Sequence, residues 1–179
     1  MNIRIAGVVK ESIVDGPGIR YVLFTQGCPH RCKGCHNPQT HDFNGGKIVS
    51  TEDIVEDILS KVKYIDGITI SGGEPLVQPE ACIEIIKAVK KAGLHVIVYT
   101  GFTWEYMWSK GSGEQQLVVR MADAVVDGPF IEQLKSYNIK FRGSTNQRFI
   151  DVKASIALGK VVEVNLGDAV ELERRAAVV

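Results

Sequence analysis

Short apolar segments alternating with helical patterns constrain the fold of this chain more than any other feature. Ile19 to Thr25 carries a continuous run, Tyr21-Val22-Leu23-Phe24, as a strand buried on both faces does. Ser50 to Val62 has helical periodicity, with Ile54, Val55, Ile58, Leu59 and Val62 on one face. Ser50 or Thr51 caps it, and acids fill its first turn. Gly67 to Ser71 reads as a short strand, Glu80 to Lys91 as a helix stopped by Gly93, and Leu94 to Tyr99 as a β-branched strand. Trp104 to Met121 is helical with a break around Gly111-Ser112-Gly113, and Ala124 to Val126 is a fourth strand. This alternation predicts an α/β fold: a parallel sheet with crossover helices. A closed eight-unit barrel takes about 250 residues. With 179 residues, five or six units and an open or partial (β/α) barrel are expected. Arg148 to Val152 and Lys160 to Leu166 read as further strands. Glu171 to Val179 reads as a short helix or a disordered tail.

The unusual polar segments all follow strands. Gly27-Cys28 follows the first, Ser71-Gly72-Gly73-Glu74-Pro75 the second, Thr100-Gly101-Phe102 the third and Asp127-Gly128-Pro129-Phe130 the fourth. In parallel α/β architectures ligands bind at the C-terminal ends of the strands. Four special loops there imply one shared site.

The first of these loops reads Cys28-Pro29-His30-Arg31-Cys32-Lys33-Gly34-Cys35-His36-Asn37-Pro38. Thiolates are soft ligands for zinc, copper(I) or iron–sulfur clusters. A Cys₃His zinc site using His30 or His36 is one reading. Structural zinc sites usually draw ligand pairs from separated knuckles, and here all three thiols share one loop. A four-iron cluster normally takes four thiolates, so three would leave one iron open to a small molecule. The spacing favours the cluster. Cys82 lies on the second helix and shares a face with Ile85, Ile86 and Val89. It reads as core, because free cysteine commonly packs as a small hydrophobe.

Bulk properties narrow the partners. Lys plus Arg is 21 and Asp plus Glu is 21, so the basic excess that phosphate-backbone binding needs is missing and nucleic acid is not expected. No apolar run approaches a signal peptide or a membrane span of about 20 residues. A cytoplasmic location is expected, where cysteines serve metals or reactivity more than disulfides.

The three-cysteine loop after the first strand resembles the cluster motif of the radical S-adenosylmethionine superfamily. Ser71-Gly72-Gly73-Glu74-Pro75 is similar to its glycine–glycine–glutamate motif, which binds the amino group of S-adenosylmethionine. Asp15-Gly16-Pro17-Gly18-Ile19-Arg20 narrows the likeness to glycyl-radical-enzyme activases. Val126 to Phe130 and Arg142-Gly143-Ser144-Thr145-Asn146-Gln147-Arg148 resemble the activators of anaerobic ribonucleoside-triphosphate reductase. The likeness covers roughly residues 3 to 152. His41 departs from it, standing where related activases often carry Trp, and the stretch from 153 to 179 matches poorly. The whole chain, 1–179, is expected to be one domain.

The resemblance implies one 4Fe–4S cluster held by Cys28, Cys32 and Cys35, with an iron left open to S-adenosylmethionine. Reductive cleavage would give methionine and a 5′-deoxyadenosyl radical, which takes a hydrogen atom from a glycine Cα of the partner enzyme. The partner implied is a glycyl radical enzyme, the anaerobic reductase first and a pyruvate formate-lyase type second. A flavodoxin or ferredoxin is the implied electron donor. An unusual small-molecule radical enzyme and a plain iron–sulfur electron carrier are the alternatives. Gly34, Cys35 and His36 would lie beside the adenosyl group, and Gly72, Gly73 and Glu74 would hold the amino end. His36 reads equally as a loop residue. Asp127 reads either as a contact to ligand or cation, or as a turn-forming residue before Gly-Pro. Arg142 and Arg148 meet cofactor or partner, or are solvated surface. Asp15 to Gly18 reads as a structural turn, and Trp104, Tyr106 and Trp108 as core or interface.

Overall fold

The computed structural model describes residues 1–164 and 166. Seven strands form one sheet: β1 (Asn2–Ser12), β2 (Arg20–Thr25), β3 (Lys47–Ser50), β4 (Gly67–Gly72), β5 (His95–Tyr99), β6 (Ala124–Asp127) and β7 (Arg148–Asp151). Five α-helices accompany them: α1 (Thr51–Leu59), α2 (Pro79–Lys91), α3 (Trp104–Lys110), α4 (Gly113–Met121) and α5 (Val152–Leu158). The spatial order is β3-β1-β2-β4-β5-β6-β7, and the sheet does not close on itself. β2, β4, β5 and β6 run parallel, as the expected open α/β barrel requires.

Two strands, β1 and β3, were not anticipated, and neither was the antiparallel direction of β7. β1 pairs with β2 and β3 on one side, and β7 pairs with β6 on the other. They replace the fifth and sixth units expected from length. Residues up to 50 are used by the β1–β2 hairpin, the cysteine loop and β3. A further twenty residues, 128–147, form a loop wall without sheet pairing, apart from one isolated bridge between Lys135 and Ser144. Arg148 to Asp151 is a strand as read, but Val152 starts α5 instead of ending the strand. Asp151 caps α5 by accepting from Ala154 N at 2.8 Å. The strand read over 160–166 is reduced to a bridge of Glu163 to Ile150, flanked by two backbone hydrogen bonds to β7. The segment 171–179 lies outside the described residues.

The period-two pattern of the strands sorts the core. Ile68 and Ile70, then Val96 and Val98, turn to the helices, whereas Thr69 and Ile97 turn to the other face. Beneath the helices Ile54 and Ile58 of α1, Ile85, Ile86 and Val89 of α2, and Val118 and Val119 of α4 complete a large apolar cluster. α2 has no side-chain cap, so packing holds it. Each of its buried isoleucines contributes about 1.5–3 kcal/mol, against about 1 kcal/mol for a cap. α1 has both devices, since Ser50 accepts from Asp53 N at 3.0 Å. It ends at Leu59, so Leu59 and Val62 of the expected apolar stripe are exposed. Among the described residues no helix is long and apolar enough to cross a membrane.

Candidate metal centre

The cysteine loop leaves the end of β2 and is pinned at its stems. Gly27 N donates to Thr40 O at 2.8 Å and Cys28 N to His41 O at 3.2 Å. The buried Gln26 side chain reinforces this by donating to Gln39 O and Asp42 O. Gln78 clamps the same corner, donating to Arg4 O and Gln26 O. These two glutamines escaped sequence reasoning, because nothing but burial distinguishes them from surface residues.

Within the loop, backbone N–H groups turn toward sulfur. Asn37 N donates to Cys35 Sγ at 3.4 Å. Burial pushes the Cys28 thiol up, and hydrogen bonds from the His30 and Arg31 backbone oppose that by favouring the thiolate. Arg31 adopts a left-handed φ of 46°, uncommon outside glycine. All four cysteines are free. Cys82 lies fully buried in the helix-side core, its thiol pushed up to about 12 by burial.

Cys28, Cys32 and Cys35 line one small cavity of about 110 Å³. Ser71, Gly72 and Gly73 from the end of β4, Thr100 and Gly101 from β5, and Gly128 and Phe130 from β6 complete it. The four special loops therefore meet. A second cavity of about 410 Å³ shares Cys35, Ser71, Tyr99, Phe130 and Gln147 with the first, and adds Asp15, His36, Asn37 and Arg142. A cavity of about 480 Å³ around Arg20, Asp66 and His95 contains none of the residues singled out as cofactor contacts.

The donor set suits a cluster better than a single ion. Zinc needs four donors within about 2.3 Å of one point. Among the described residues no three His, Cys, Asp or Glu side chains converge in that way. A four-iron cluster takes its thiolates at separate irons, so thiols spaced around a cavity fit it.

Gly72 and Gly73 are required by backbone packing. A Cβ on Gly73 would stand 2.4 Å from Gly27 O, and one on Gly72 2.5 Å from Thr25 N. Gly73 N donates to Thr25 O and Glu74 N to Gly27 O, both at 2.8 Å. The β4 loop thus crosses the root of the cysteine loop at backbone distance.

Glu74 is held by the protein's own groups. Its carboxylate is fully buried and does not face an open position. Oε1 accepts from Leu76 N and Thr100 Oγ1, and Oε2 from Gly101 N and His30 Nε2, at 2.8–3.1 Å. A carboxylate has about four lone-pair sites, and all are taken. Glu74 joins the cysteine loop to the β4 and β5 ends, with each oxygen accepting two hydrogen bonds.

Asp127 is also committed. It is 1% exposed, accepts from Trp104 N at 2.7 Å and pairs with Arg148 through both oxygens. Arg148 holds Glu105 as well, and these two acids raise its already high pKa. The turn reading of Asp127 is incomplete, because its side chain ties β6, β7 and α3 together. Arg148 is thus held in ion pairs with Asp127 and Glu105 and lines neither cavity, whereas Arg142 borders the larger one. His36 also lines that cavity and packs on Phe130, with ring centroids 5.0 Å apart. Gly34 lines neither cavity and lies exposed against the Glu132 side chain.

The loop wall is fastened by amides. Gln147 Nε2 donates to Gly128 O and Asn146 Nδ2 to Pro129 O, while Gln147 Oε1 accepts from Gly143 N. The two segments that suggested the reductase activators are thus packed on each other. Asp15 enters the larger cavity, with its carbonyl accepting from Thr69 Oγ1, so its turn is also part of the lining. Trp104 is core, and Tyr106 is a partly exposed ring stacked on Phe102.

The model of the 4Fe-4S single cluster domain family matches residues 14–150. The pyruvate formate-lyase-activating enzyme of Clostridium pasteurianum is 39% identical over 127 residues, 69% of this chain and 50% of that protein. The anaerobic ribonucleoside-triphosphate reductase-activating protein of Escherichia coli (strain K12) is 34% identical over 143 residues, 75% of this chain and 90% of that protein. A Listeria monocytogenes pyruvate formate-lyase-activating enzyme is 39% identical over 99 residues, 40% of its length. The chain thus spans half or less of those lyase activators and nine-tenths of the reductase activator. It belongs to the 4Fe-4S single cluster domain family and, within it, to the radical S-adenosylmethionine activases of glycyl radical enzymes, whose four-iron cluster and S-adenosylmethionine are its cofactors.

Proposed function

We propose that this chain cleaves S-adenosylmethionine reductively and generates a glycyl radical on anaerobic ribonucleoside-triphosphate reductase. The observation that carries this is the small cysteine-lined cavity continuing through Cys35 into a larger one bordered by His36, Asp15 and Arg142. In this reading Cys28, Cys32 and Cys35 hold the cluster and leave one iron open. The Ser71–Gly73 loop offers backbone acceptors to the methionyl ammonium, since Glu74 is spent on positioning. His36 and Phe130 flank the adenosyl side. Together the cofactors supply one-electron cleavage of a sulfonium and abstraction of a hydrogen atom. The chain's part is to orient both, to keep water from the thiols, and to leave the larger cavity open for a glycine-bearing loop.

The packed pair of segments, 126–130 and 142–148, and the match over nine-tenths of the reductase activator support that partner. The higher identity to the pyruvate formate-lyase activator supports a second reading, in which that lyase is the partner. A flavodoxin or ferredoxin in the cytoplasm supplies the electron in either case. We read 1–179 as one domain, because α5 and residues 162–164 pack on β7.

The test is anaerobic reconstitution with iron and sulfide, reduction, and incubation with S-adenosylmethionine and each candidate partner. Electron paramagnetic resonance is expected to detect a glycyl radical on the reductase. A radical formed on the lyase alone would decide for the second reading. No S-adenosylmethionine cleavage by the loaded protein would sink both.

A further inference from the structure

We propose that His41 donates a hydrogen bond from Nε2 to a sulfur of the cluster and so raises its reduction potential. The inference rests on the cluster assigned above to Cys28, Cys32 and Cys35. His41 lines the same small cavity as the three thiols. Its Nε2 is shielded from solvent and has no hydrogen-bond partner among the described residues. Buried polar atoms are nearly always paired, so an orphan on a residue that lines a cavity points to a partner brought by the cavity's occupant. The second imidazole there, His30, is already committed to Glu74.

The backbone holds His41 in place. Its carbonyl accepts from Cys28 N and its N–H donates to Pro38 O, both at 3.2 Å. The residue is therefore anchored through its backbone to the first cysteine of the loop. Inorganic sulfide and thiolate sulfur are acceptors only. Nε2 is a donor in one neutral tautomer and in the imidazolium, so the contact needs no change of protonation. A hydrogen bond to a cluster sulfur stabilises the reduced state, which carries one more negative charge, and the potential rises.

The test is a mediated redox titration of the full chain, reconstituted anaerobically, with the reduced cluster followed by electron paramagnetic resonance. His41→Phe keeps an aromatic ring and removes the donor. It is expected to bind iron and sulfide normally and to shift the one-electron equilibrium roughly tenfold against reduction, about 59 mV more negative. His41→Gln restores a side-chain N–H and is expected to recover most of the shift. In native protein labelled with ¹⁵N-histidine, the reduced cluster should show a nitrogen coupling that His41→Phe lacks. An unchanged potential in His41→Phe overturns the proposal. So does a rise, because it would mean that water entering the gap outweighs the ring. If His41→Phe fails to load, the His41→Gln potential and the ¹⁵N coupling decide instead. A native chain that binds no iron and sulfide would remove the cluster reading itself, a result distinct from a loaded cluster whose potential ignores His41.

Discussion

The helix-covered face of the sheet and the rim at its strand ends are built from different interactions. Under the helices, stability comes from area. Ile58, Ile70, Ile86 and Val98 are fully buried among other apolar side chains, whose mutual contacts are not directional. At the rim, the buried side chains are mostly polar and hydrogen-bonded, with His41 Nε2 and Asn146 Oδ1 as exceptions. Glu74 accepts four hydrogen bonds, Asp127 joins three elements, Gln26 bridges the carbonyls of Gln39 and Asp42, and Gln147 links Gly128 O to Gly143 N. The apolar face tolerates repacking because it is judged by volume. The rim has no such latitude, because one missing partner strands a buried group. Four cysteines sample both regions, three at the rim and Cys82 in the core.

The largest effect should separate those cysteines. Cys28→Ala, Cys32→Ala and Cys35→Ala are each expected to reduce bound iron, sulfide and S-adenosylmethionine cleavage to background with unchanged far-ultraviolet circular dichroism. Cys82→Ala should keep all three, and its loss of iron in a folded chain would break the comparison. Next is the apolar face. Ile86→Ala should cost about 2–5 kcal/mol in denaturant unfolding while the folded fraction still binds iron. Glu74→Gln puts an N–H₂ among donors and should cost about 1–3 kcal/mol, together with weaker retention of the cluster. If it matched the native chain in both, the hub role of Glu74 would be wrong. Alkylation of unloaded protein at pH 8 sharpens the contrast without mutation. The Cys82 thiol, pushed up to about 12, stays protonated there and should be the last to react. Smallest of all, Lys33→Ala removes an exposed 3.2 Å pair with Glu132 and should leave the melting temperature within error.

Much of this division was legible in the sequence. The apolar runs gave β2, β4, β5 and β6, and the loops that follow them meet as the parallel order requires. Other elements were missed for identifiable reasons. β1 carries a period-two signal in Ile3 and Ile5, both 1% exposed, but its outer half is largely solvent-facing and the alternation fades. β3 is a four-residue edge strand with no buried residue, so no pattern marks it. α5 was signposted by Asp151 and Gly159, a cap and a left-handed stop, yet it is only two turns long. The cysteines could be read because thiol spacing is chemistry written locally. The saturation of Glu74 could not, because its partners come from residues 30, 76, 100 and 101. A free carboxylate and a spent one look alike in sequence.

That saturation also couples the shape of the cysteine loop to the pairing of the sheet. His30 sits inside the cysteine loop, and its anchor on Glu74 shares that carboxylate with Thr100 and Gly101. Those two residues reach Glu74 only when β5 already lies beside β4. The final form of the loop therefore depends on the middle of the sheet. A change in how β5 lies on β4 is transmitted through one carboxylate to the thiols.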